Sequence, residues 1–319
     1  MIRLSIIIPH YNSTETLLRL LGTVPNKEEI QILVIDDHSK KEEKEKLINI
    51  KDASTHKNIQ FLENDADKKG AGSARNVGLE KATGEWVLFA DSDDFFVDSF
   101  YEAVEEYFNA NVDVVFFKPT SIELDTGNVS NRHIRFAEAI DDYYDSKSKK
   151  SDLMLRYKIV VPWSKLIRRS VIEENEISFE NVIVSNDVMF SAKLGFHIEN
   201  FDVSNDTIYC VTRSRGSLVT SLNEKAFDTR VGVFIRYYHF LQDHLSKEEF
   251  NSVDVTGQGY VYNSTKYGYK KLYNVCRTFN KNKVRLVSTK IINPIWFLKN
   301  VAFVRHHRKK TKRFYKKVQ

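Results

Sequence analysis

The sequence lacks any long apolar run, so it predicts no transmembrane helix. No stretch of the 319-residue chain approaches the roughly 18 apolar residues that a transmembrane helix needs. The N-terminal "MIRLSIIIPHYN" joins a basic residue to a short apolar run, but the run ends in Pro-His-Tyr-Asn without a small-residue cleavage site. We therefore interpret it as a buried strand and not as a signal peptide.

Cysteine and glycine-rich loops are scarce as well. Cys210 and Cys276 lie far apart and match no zinc or redox spacing, which favours a reduced cytoplasmic compartment. The chain has neither a Walker loop nor a Gly-x-Gly-x-x-Gly motif, which argues against a P-loop NTPase and a dinucleotide dehydrogenase. With 42% hydrophobic and 29% charged residues, the composition is typical of a soluble globular protein.

The net charge of +5 is concentrated at the C-terminus. Residues 305–319 contain eight Lys or Arg and no acid, which leaves −3 for the rest of the chain. A nucleic-acid patch and a solvated tail both fit this basic segment. We favour a peripheral anchor on an anionic membrane surface, formed by residues 293–319, and expect no nucleic acid. In that interpretation the aromatic residues enter the interface: Trp296, Phe297, Phe303, Phe314 and Tyr315.

Short apolar runs alternate with helical patterns over the first 120 residues. "LSIIIP", "QILVIDD", "IQFLEN", "EWVLFAD" and "VDVVFFK" suit strands that are buried on both faces of a parallel sheet. The helical patterns include one that starts at "NSTE", where Asn12 and Glu15 form a plausible capping pair. This alternation predicts an α/β domain built from βαβ units.

The pattern changes after Lys118. "IELDTGNVSNRH" is typical of a hairpin or loop, "DDYYDSKSKKSD" of a polar connector, and "PWSKLIRRSVIEENEISF" of a helix. "DTIYCVTRS" is strand-like, and the chain is mostly helical from about Glu224. We predict a domain over 1–224, with halves 1–118 and 119–224, followed by a helical basic region over 225–319.

Polar clusters follow the first, second and fourth predicted strands. In doubly wound sheets the ligand crevice lies beyond the carboxyl ends of the strands, so these clusters are expected to converge there. Asp91 and Asp93 suit a hard divalent cation that also binds phosphate oxygens. "KKGAGSARN" places small residues at a predicted helix start, where free amides favour an anion, and Arg75 adds a fixed charge. A helix cap at the acids and a solvated Arg75 are the simpler alternatives.

Taken together, six segments carry a resemblance to family 2 glycosyltransferases. They are "SIIIPHYN", "ILVIDDHS", "GAGSARNVGLEKATGEWVLFADSDD", "PWSKLIRRSVI", "SNDVMF" and "RSRGSLVTS", in the family's order over roughly residues 3 to 222. The resemblance implies a GT-A fold, a Rossmann-like, mostly parallel sheet flanked by helices, here with a C-terminal helical extension. It also implies an inverting, nucleotide-sugar-dependent enzyme.

The resemblance assigns the donor site residue by residue. Pro9 and Tyr11 resemble the nucleotide-base pocket, Asp37 the residue that hydrogen-bonds the base with help from Asp36, and Arg75 the basic donor contact. Asp91, Ser92 and Asp93 resemble the DxD motif. Asp93 would be the direct ligand of Mn²⁺ or Mg²⁺, and Asp91 would be a second ligand that also lies nearer the ribose, while Asp94 either joins them or caps the next helix. Arg213, Arg215 and Ser217 would contact the diphosphate from the closing loop.

The resemblance assigns the acceptor half in the same way. Asp187 is implied as the general base, although it also suits an N-cap, and Asn186 stands where the family usually has Glu. "VPWSKL" resembles the family's Pro-Trp-Asn-Lys segment, with Ser164 in place of Asn. Trp163 would be a sugar-stacking wall or simply core, and Lys165 would face the donor phosphates or the acceptor.

The implied function is transfer of a sugar, from a UDP-sugar by family habit, to a hydroxyl of a glycan acceptor. The acceptor would be lipid-linked, in capsule, cell-wall or lipopolysaccharide synthesis at the inner face of the cell membrane. A sugar nucleotidyltransferase is the alternative enzyme, but "PHYNSTE" lacks its Gly-rich loop. A catalytically inactive membrane-bound scaffold is the non-enzymatic alternative. The sequence gives no indication of the oligomeric state.

Overall fold

The structure is a computed structural model that describes residues 1–65, 69–213 and 223–288. Within these residues, eight strands form one sheet: β1 (Leu4–His10), β2 (Ile30–Asp36), β3 (Ile59–Glu63), β4 (Trp86–Phe89), β5 (Phe95–Phe96), β6 (Val114–Glu123), β7 (Lys165–Arg168) and β8 (Phe201–Arg213). The five strands predicted before residue 120 are all present. Every residue of β1, β2 and β4 is buried, as expected for strands covered on both faces.

The sheet has the order β3-β2-β1-β4-β7-β6-β8-β5. The strands β1 to β4 are mutually parallel, with Leu4 paired to both Ile30 and Trp86. Their carboxyl ends therefore share one edge of the sheet. β7 is antiparallel to β4 and β6, and β8 pairs in parallel with β6 and antiparallel with β5. The predicted α/β architecture is confirmed.

Eight helices accompany this sheet in the described part of residues 1–213: α1 (Thr14–Gly22), α2 (Lys41–Ala53), α3 (Ala71–Lys81), α4 (Phe100–Glu105), α5 (Ile134–Ser146), α6 (Lys149–Lys158), α7 (Arg169–Glu174) and α8 (Asp187–His197). Close helix–sheet contact requires a small residue at Gly78, where an added Cβ would lie 2.4 Å from Ile7 Cγ2. The predicted cap of α1 is wrong. Asn12 has φ of 48° and its Oδ1 accepts a hydrogen bond from the Lys40 amide at 2.8 Å, so it joins two loops instead.

Two predictions for the second half are wrong. The pattern over 162–179 predicted a helix, but Lys165–Arg168 forms the inner strand β7, and the short α7 begins only at Arg169. The polar segment 141–152 predicted a connector, but it belongs to α5 and α6, which bury Ile140 and Leu155 against the sheet domain. A capping box at Ser148 and Ser151 starts α6 and explains how so polar a segment becomes helical. The predicted hairpin after Ile122 is present, since the Glu123 amide bonds to Asn128 O.

The chain divides into two compact units, Met1–Val233 and a second that begins at Phe234. The helices described after residue 223 are α9 (Glu224–His244), α10 (Lys247–Val253), α11 (Gln258–Ser264) and α12 (Tyr269–Lys281). The first core consists of buried residues from Leu4 to Val211, on the sheet and its helices. In the second unit, Phe234, Tyr238, Phe250 and Phe279 form an aromatic core. The prediction of a mostly helical C-terminal region agrees with these elements.

No helix within the described ranges combines the length and the apolar character that crossing a bilayer would require.

Candidate active site

The candidate site lies at the carboxyl edge of the parallel strands. β1, β2 and β4 end at His10, Asp36 and Phe89, and polar residues follow each end within two positions. Backbone bonds from the Asp37 amide to His10 O (2.7 Å) and from the Ala90 amide to Ile7 O (3.1 Å) hold the three strand ends side by side. The predicted convergence of the polar clusters at this edge follows from the parallel pairing.

Asp36 is turned into the protein. Its Oδ1 lies 3.0 Å from Nδ1 of the buried His10, and its Oδ2 accepts from the Ser39 amide at 3.2 Å. Burial alone would raise the pKa of Asp36, but the hydrogen bonds from His10 and Ser39 outweigh it and lower the pKa to about 2. The ionised carboxylate therefore joins the ends of β1 and β2.

Asp37 fixes the start of α3. Its Oδ1 accepts hydrogen bonds from Asn64 Nδ2 at 2.7 Å and from the Gly70 amide at 3.0 Å. Gly70 has φ of 147°, in the region that favours glycine, and it is the residue before α3. Asp37 thus ties β2 to the loop that precedes Arg75.

Tyr11 is the exposed aromatic residue of this edge. Pro9 is buried within β1, whereas Tyr11 is 48% exposed, with Lys69 Nζ 3.6 Å from its ring centroid. A ring with one open face and a cation on the other can accept a flat heterocycle by stacking.

The three acids of the turn after β4 have different surroundings. Asp94 is 2% exposed and accepts hydrogen bonds from Tyr209 OH at 2.9 Å and the Thr212 amide at 2.7 Å. Burial, followed by the charges of Asp93 and Asp91, raises the pKa of Asp94 well above its ordinary value. The alternative in which Asp94 caps the next helix is wrong, because Ser99 occupies the N-cap position of α4. Asp94 instead ties the turn to β8.

Asp91 and Asp93 remain at the cleft. Asp91, Asp93 and Asp94 each present a carboxylate oxygen within 4.8 Å of the others. Desolvation and then the charge of Asp91 raise the pKa of Asp93, as expected for acids that share one small space. Asp93 O accepts from Arg19 Nη2 at 2.6 Å and Thr212 Oγ1 at 2.7 Å, so the turn is rigidly held. This oxygen-only donor set, with one exposed carboxylate, fits Mg²⁺ or Mn²⁺.

Arg75 connects the acidic turn to the second half of the domain. The guanidinium is buried on α3 and bonds to Asp91 Oδ1 at 2.5 Å and to Asn186 Oδ1 at 2.9 Å. It also lies over the ring of Phe179, 5.3 Å from the centroid. Close packing brings these segments together, since a Cβ on Gly72 would lie 2.7 Å from Asn186 Cβ. The simpler alternative of a solvated Arg75 is wrong.

Asp187 begins α8 immediately after the residue that Arg75 contacts. The half-buried carboxylate has a raised pKa because of burial, which the neighbouring Arg75 and Lys165 charges counteract in part. Asn186, not Asp187, occupies the N-cap position of α8. The N-cap interpretation of Asp187 is therefore wrong, and its carboxylate faces the charges of the site.

The Pro-Trp-Ser-Lys segment lies in the core. Trp163 is 7% exposed and stacks on Tyr209 with ring centroids 5.7 Å apart, so a sugar-stacking role is wrong and the core alternative holds. Lys165 is 2% exposed on β7 and donates to Ile159 O at 2.7 Å, so its ammonium group is bonded inside the domain. Burial lowers the pKa of Lys165 to about 7. Ser164 has φ of 56°, in the left-handed region where Asn is favoured over Ser.

The remaining predicted residues are placed as follows. Ser92 is buried, with its Oγ 2.7 Å from Ser13 Oγ, which joins the acidic turn to the start of α1. Arg213 ends β8 and its Nη1 lies 3.5 Å from Glu123 Oε1. Arg215 and Ser217 lie outside the described residues.

Sequence reasoning missed two residues that shape the acidic turn. Tyr209 donates to Asp94 and accepts from the Asp91 amide at 2.8 Å. Arg132 donates to Thr212 O at 2.6 Å, and its charge lowers the pKa of Asp93 in opposition to desolvation. The sequence carries no local signal for either, because both act on residues far away along the chain.

The comparisons with known proteins identify the fold first. The structure is similar to the crystal structure of residues 1–349 of TarS from S. aureus in complex with UDP-GlcNAc, with a TM-score of 0.67 and 19% identity, covering 100% of this chain and 93% of that one. It is also similar to a mannosyltransferase from Pyrobaculum calidifontis in complex with GDP-Man and Mn²⁺, with a TM-score of 0.56 and 13% identity, covering 98% and 84%. The fold is the GT-A fold, as the resemblance implied.

The family follows from the sequence comparison. Residues 5–175, more than half of the chain, match the model of glycosyl transferase family 2. The chain belongs to this family and is a glycosyltransferase. It is 25% identical over 258 residues to the putative glycosyltransferase EpsH of Bacillus subtilis, covering 77% of this chain and 71% of that protein.

Two longer relatives carry names that state the polymer to which they transfer a sugar. The chain is 24% identical over 231 residues to the poly(ribitol-phosphate) β-N-acetylglucosaminyltransferase TarS of Staphylococcus aureus, covering 69% of this chain. A poly(ribitol-phosphate) β-glucosyltransferase of Bacillus spizizenii is 27% identical over 214 residues, covering 65%. The alignments span only 37% and 32% of these two relatives.

Proposed function

We propose that this glycosyltransferase moves a sugar from a UDP-sugar to a hydroxyl group of a glycan acceptor, with inversion at the anomeric carbon. One observation carries the proposal. The buried guanidinium of Arg75 contacts Asp91 of the acidic turn and Asn186, the residue before Asp187. A cation at this position supports a donor-phosphate site on the Asp91 side of the cleft and a general base on the Asp187 side.

Asp187 is the proposed general base. Its Oδ takes the proton of the acceptor hydroxyl while the hydroxyl oxygen forms a bond to the anomeric carbon. The bond from that carbon to the diphosphate oxygen breaks, and the nucleoside diphosphate leaves with the electron pair. General-base assistance of this kind contributes about 10²–10⁴-fold. The raised pKa of Asp187, caused by burial, makes its carboxylate a better base than an exposed Asp.

Asp93 and Asp91 are the proposed ligands of a divalent cation, Mn²⁺ or Mg²⁺, since Asp94 already bonds to Tyr209 and Thr212. A bound cation would supply Lewis-acid neutralisation of the diphosphate charge. Arg75 holds Asp91 in place, and the first-turn amides of α3 offer donors to an anion. Arg213 and Ser217 remain predicted contacts of the diphosphate. Asp91 remains a predicted residue of the ribose side, and Ser92 a predicted residue of the donor site.

Tyr11, Pro9 and Asp37 form the proposed uracil site, with Tyr11 stacking on the base. The internal pairing of Asp36 with His10 supports an indirect role, in which Asp36 holds the loop that carries Asp37. The structural neighbour that binds UDP-GlcNAc supports a UDP-sugar as donor.

The acceptor is proposed to be a cell-surface glycan polymer. Two of the relatives are named for transfer to poly(ribitol-phosphate), which supports a phosphate-bearing polymer as the acceptor class. We further propose that residues 1–224 form the catalytic domain and that 293–319 binds the anionic inner face of the cell membrane. Co-sedimentation with anionic liposomes tests the second proposal: a variant ending at Lys299 should pellet less than the full chain, and equal pelleting would contradict it.

The central test combines donor binding with turnover. UDP-GlcNAc, UDP-Glc and GDP-Man are added with and without Mn²⁺, and the melting temperature and the release of nucleoside diphosphate are recorded. A UDP-sugar should raise the melting temperature in the presence of Mn²⁺. Asp187→Asn should retain this shift and lower kcat by about 10²–10⁴-fold. Asp93→Asn should lose both the shift of the melting temperature and the release of nucleoside diphosphate. Asp98→Asn, at an exposed acid of the same region, is the matched control.

If no nucleotide sugar changes the melting temperature, the donor site is refuted. If donors bind but the parent protein releases no nucleotide with any acceptor, the inactive scaffold is the better account.

A further inference from the structure

Three exposed tyrosines of the second unit have no role in the proposed transfer. Tyr262 on α11 is 66% exposed, and Tyr269 and Tyr273 on α12 are 90% and 65% exposed. Within 255–288 the only other large apolar side chain of comparable exposure is Val287. Solvent exposure of several large aromatic rings is costly, and it is typical of a surface that binds a partner.

Helix α12 sorts its residues onto two faces. Val275 and Phe279 are buried in the second unit. Tyr269, Tyr273, Arg277 and Lys281 recur every four residues and are exposed, so they form one stripe along the opposite face. Lys270 and Lys266 are exposed beside this stripe. We call these six residues together with Tyr262 the tyrosine–lysine face.

The charges of the segment that carries this face are of one sign. Asp254 is the last acidic residue of the sequence, and 255–288 contains seven basic residues: Lys266, Lys270, Lys271, Arg277, Lys281, Lys283 and Arg285. Residues 289–319 add ten Lys or Arg and no acid. The chain's own C-terminal segment therefore has the wrong charge to be the occupant of this face. A polyanion has the right charge.

The chemistry of the face selects among polyanions. The π-face of tyrosine is electron-rich and packs against the C–H groups of sugar or polyol carbons, while its hydroxyl stays in water. Lys and Arg bind phosphate oxygens. A helix that inserts into a bilayer presents Trp, Phe or Leu to the lipid, but on α12 the Leu, Val and Phe face inward or are only partly exposed. The combination fits an anionic glycan better than a membrane.

We propose that the tyrosine–lysine face binds a phosphodiester-linked glycan polymer, as a site separate from the residues assigned to catalysis. Tyr269 and Tyr273 lie one helical turn apart and contact successive carbon backbones, and Lys270, Arg277 and Lys281 pair with the phosphates between them. This inference rests on the proposed function in one respect, the phosphate-bearing acceptor. Binding here would hold a long acceptor on the enzyme between transfers.

The test measures polymer binding by the full chain. Fluorescently labelled poly(ribitol phosphate) is titrated with the protein at several salt concentrations, and dextran of similar length serves as the uncharged comparison. Tyr269→Ala/Tyr273→Ala should raise the Kd at least tenfold. Lys270→Gln/Arg277→Gln should also weaken binding and should flatten the slope of log Kd against log salt by about one to two, because two fewer phosphate contacts release fewer counterions.

Matched controls use the first unit. Tyr144→Ala removes a tyrosine that is 52% exposed on α5, and Lys41→Gln removes a lysine on α2 whose side chain is 90% exposed. Both should leave the Kd unchanged. The shift of melting temperature by UDP-GlcNAc is recorded for every variant. An unchanged shift with lost polymer binding supports this site, while absence of the shift in the parent protein would refute the donor proposal independently.

Three outcomes overturn the inference. In one, the tyrosine variants bind poly(ribitol phosphate) as tightly as the parent does. In another, inorganic polyphosphate or RNA binds as tightly as the glycan and with the same loss in the tyrosine variants, so that the face recognises charge alone. In the third, the tyrosine variants lose binding to anionic vesicles but not to the polymer, which would make the face a membrane contact.

Discussion

Asn186 stands where the resemblance to family 2 glycosyltransferases predicts Glu. Its amide oxygen accepts a hydrogen bond from Arg75 Nη1 at 2.9 Å, and Arg75 binds Asp91 through its other terminal nitrogen. An amide at this position keeps the guanidinium in place without adding a charge beside Asp187. The proposed base therefore has Arg75 as a cationic neighbour and no acid at the preceding position.

Asn186→Glu tests the effect of that neutral side chain. The new carboxylate would pair with Arg75 and add a negative charge next to Asp187, so the pKa of Asp187 should rise further. A base must be deprotonated to act, so activity is lost as the pH falls through the pKa of Asp187. The acidic limb of the kcat/KM profile should therefore move to higher pH in the variant.

Asn186→Gln is the matched control for this prediction, because it lengthens the side chain in the same way without a charge. Its profile should keep the acidic limb of the parent. Coincident profiles for the Glu and Gln variants would show that the neighbour does not tune the base.

Asp36 offers a prediction about stability. Its pKa is lowered to about 2 because hydrogen bonds from His10 and Ser39 outweigh burial. A lowered carboxyl pKa stabilises the fold above the unfolded value near 4, and this contribution is lost as the pH falls from about 4 to about 2. Asp36→Asn should therefore lower the free energy of unfolding by about 2 kcal/mol at pH 7.

Urea unfolding at pH 7 and pH 3 measures this effect. The difference between Asp36→Asn and the parent should be smaller at pH 3. Asp52→Asn, at an exposed acid of α2, should change the stability little at either pH. An equal loss at both pH values would mean that packing, and not the charge of Asp36, accounts for the effect.

At the scale of secondary-structure elements, the sequence predicted those elements that a short-range pattern determines. Continuous apolar runs such as "ILVI" produce strands that are buried on both faces, and those runs were found. β7 was missed because Lys165 and Arg168 end the strand with charges, which resemble the pattern of a helix surface. Lys165 bonds to Ile159 O, whereas Arg168 bonds to Glu85 and lies over the ring of Trp86. None of these partners stands at a regular helix or strand spacing from β7, so no local pattern reveals them.

The candidate site was predictable to the same extent. The acids were found from their positions after strands, but their separate roles depend on tertiary partners. Asp94 bonds to Tyr209 and Thr212, more than a hundred residues away, and no local pattern distinguishes it from Asp93. Asp36 and Asp37 differ for the same reason, since one turns toward His10 and the other toward Asn64 and Gly70.

The central position of β7 gives a further prediction, because it places a lysine inside the sheet. Burial lowers the pKa of Lys165 to about 7, whereas the unfolded chain binds the proton until about pH 10. Between these values the unfolded state holds more protons, so stability rises with pH. The unfavourable burial of the charge is fully present below pH 7. Lys165→Met removes it and fills a similar volume.

The gain in stability of Lys165→Met over the parent should therefore be larger at pH 6.5 than at pH 9.5, measured by urea unfolding. The lost hydrogen bond to Ile159 O affects both pH values alike and cancels in this comparison. Lys69→Met, at an exposed lysine of the same domain, is the control and should show no such difference. A constant effect across pH would indicate that Lys165 stays protonated in the folded protein throughout the range, so that its pKa is not lowered.

At the scale of the whole molecule, the two units have separate cores. The aromatic cluster of the second unit comprises Phe234, Tyr238, Phe250 and Phe279, and none of these belongs to the core around the sheet. The proposed donor residues described by the structure all belong to the first unit. A donor should therefore stabilise the first unit by mass action without acting directly on the second.

Phe279→Ala and Phe190→Ala test this separation as a matched pair. Both rings are fully buried, the first in the second unit and the second against Phe179 in the first unit. Each truncation should cost about 3–5 kcal/mol in its own unit. Thermal unfolding is followed by the fluorescence of Trp86 and Trp163, both in the first unit, with Trp296 replaced by Phe, and by far-UV circular dichroism.

Phe190→Ala should lower the fluorescence transition, and UDP-GlcNAc with Mn²⁺ should raise it again. Phe279→Ala should leave that transition and its response to the donor unchanged, and it should lower an ellipticity transition that the donor does not move. The contrary result would be one shared transition that both substitutions lower and the donor raises equally. The two cores would then unfold as one cooperative body, and a ligand on the tyrosine–lysine face would be coupled energetically to the catalytic cleft.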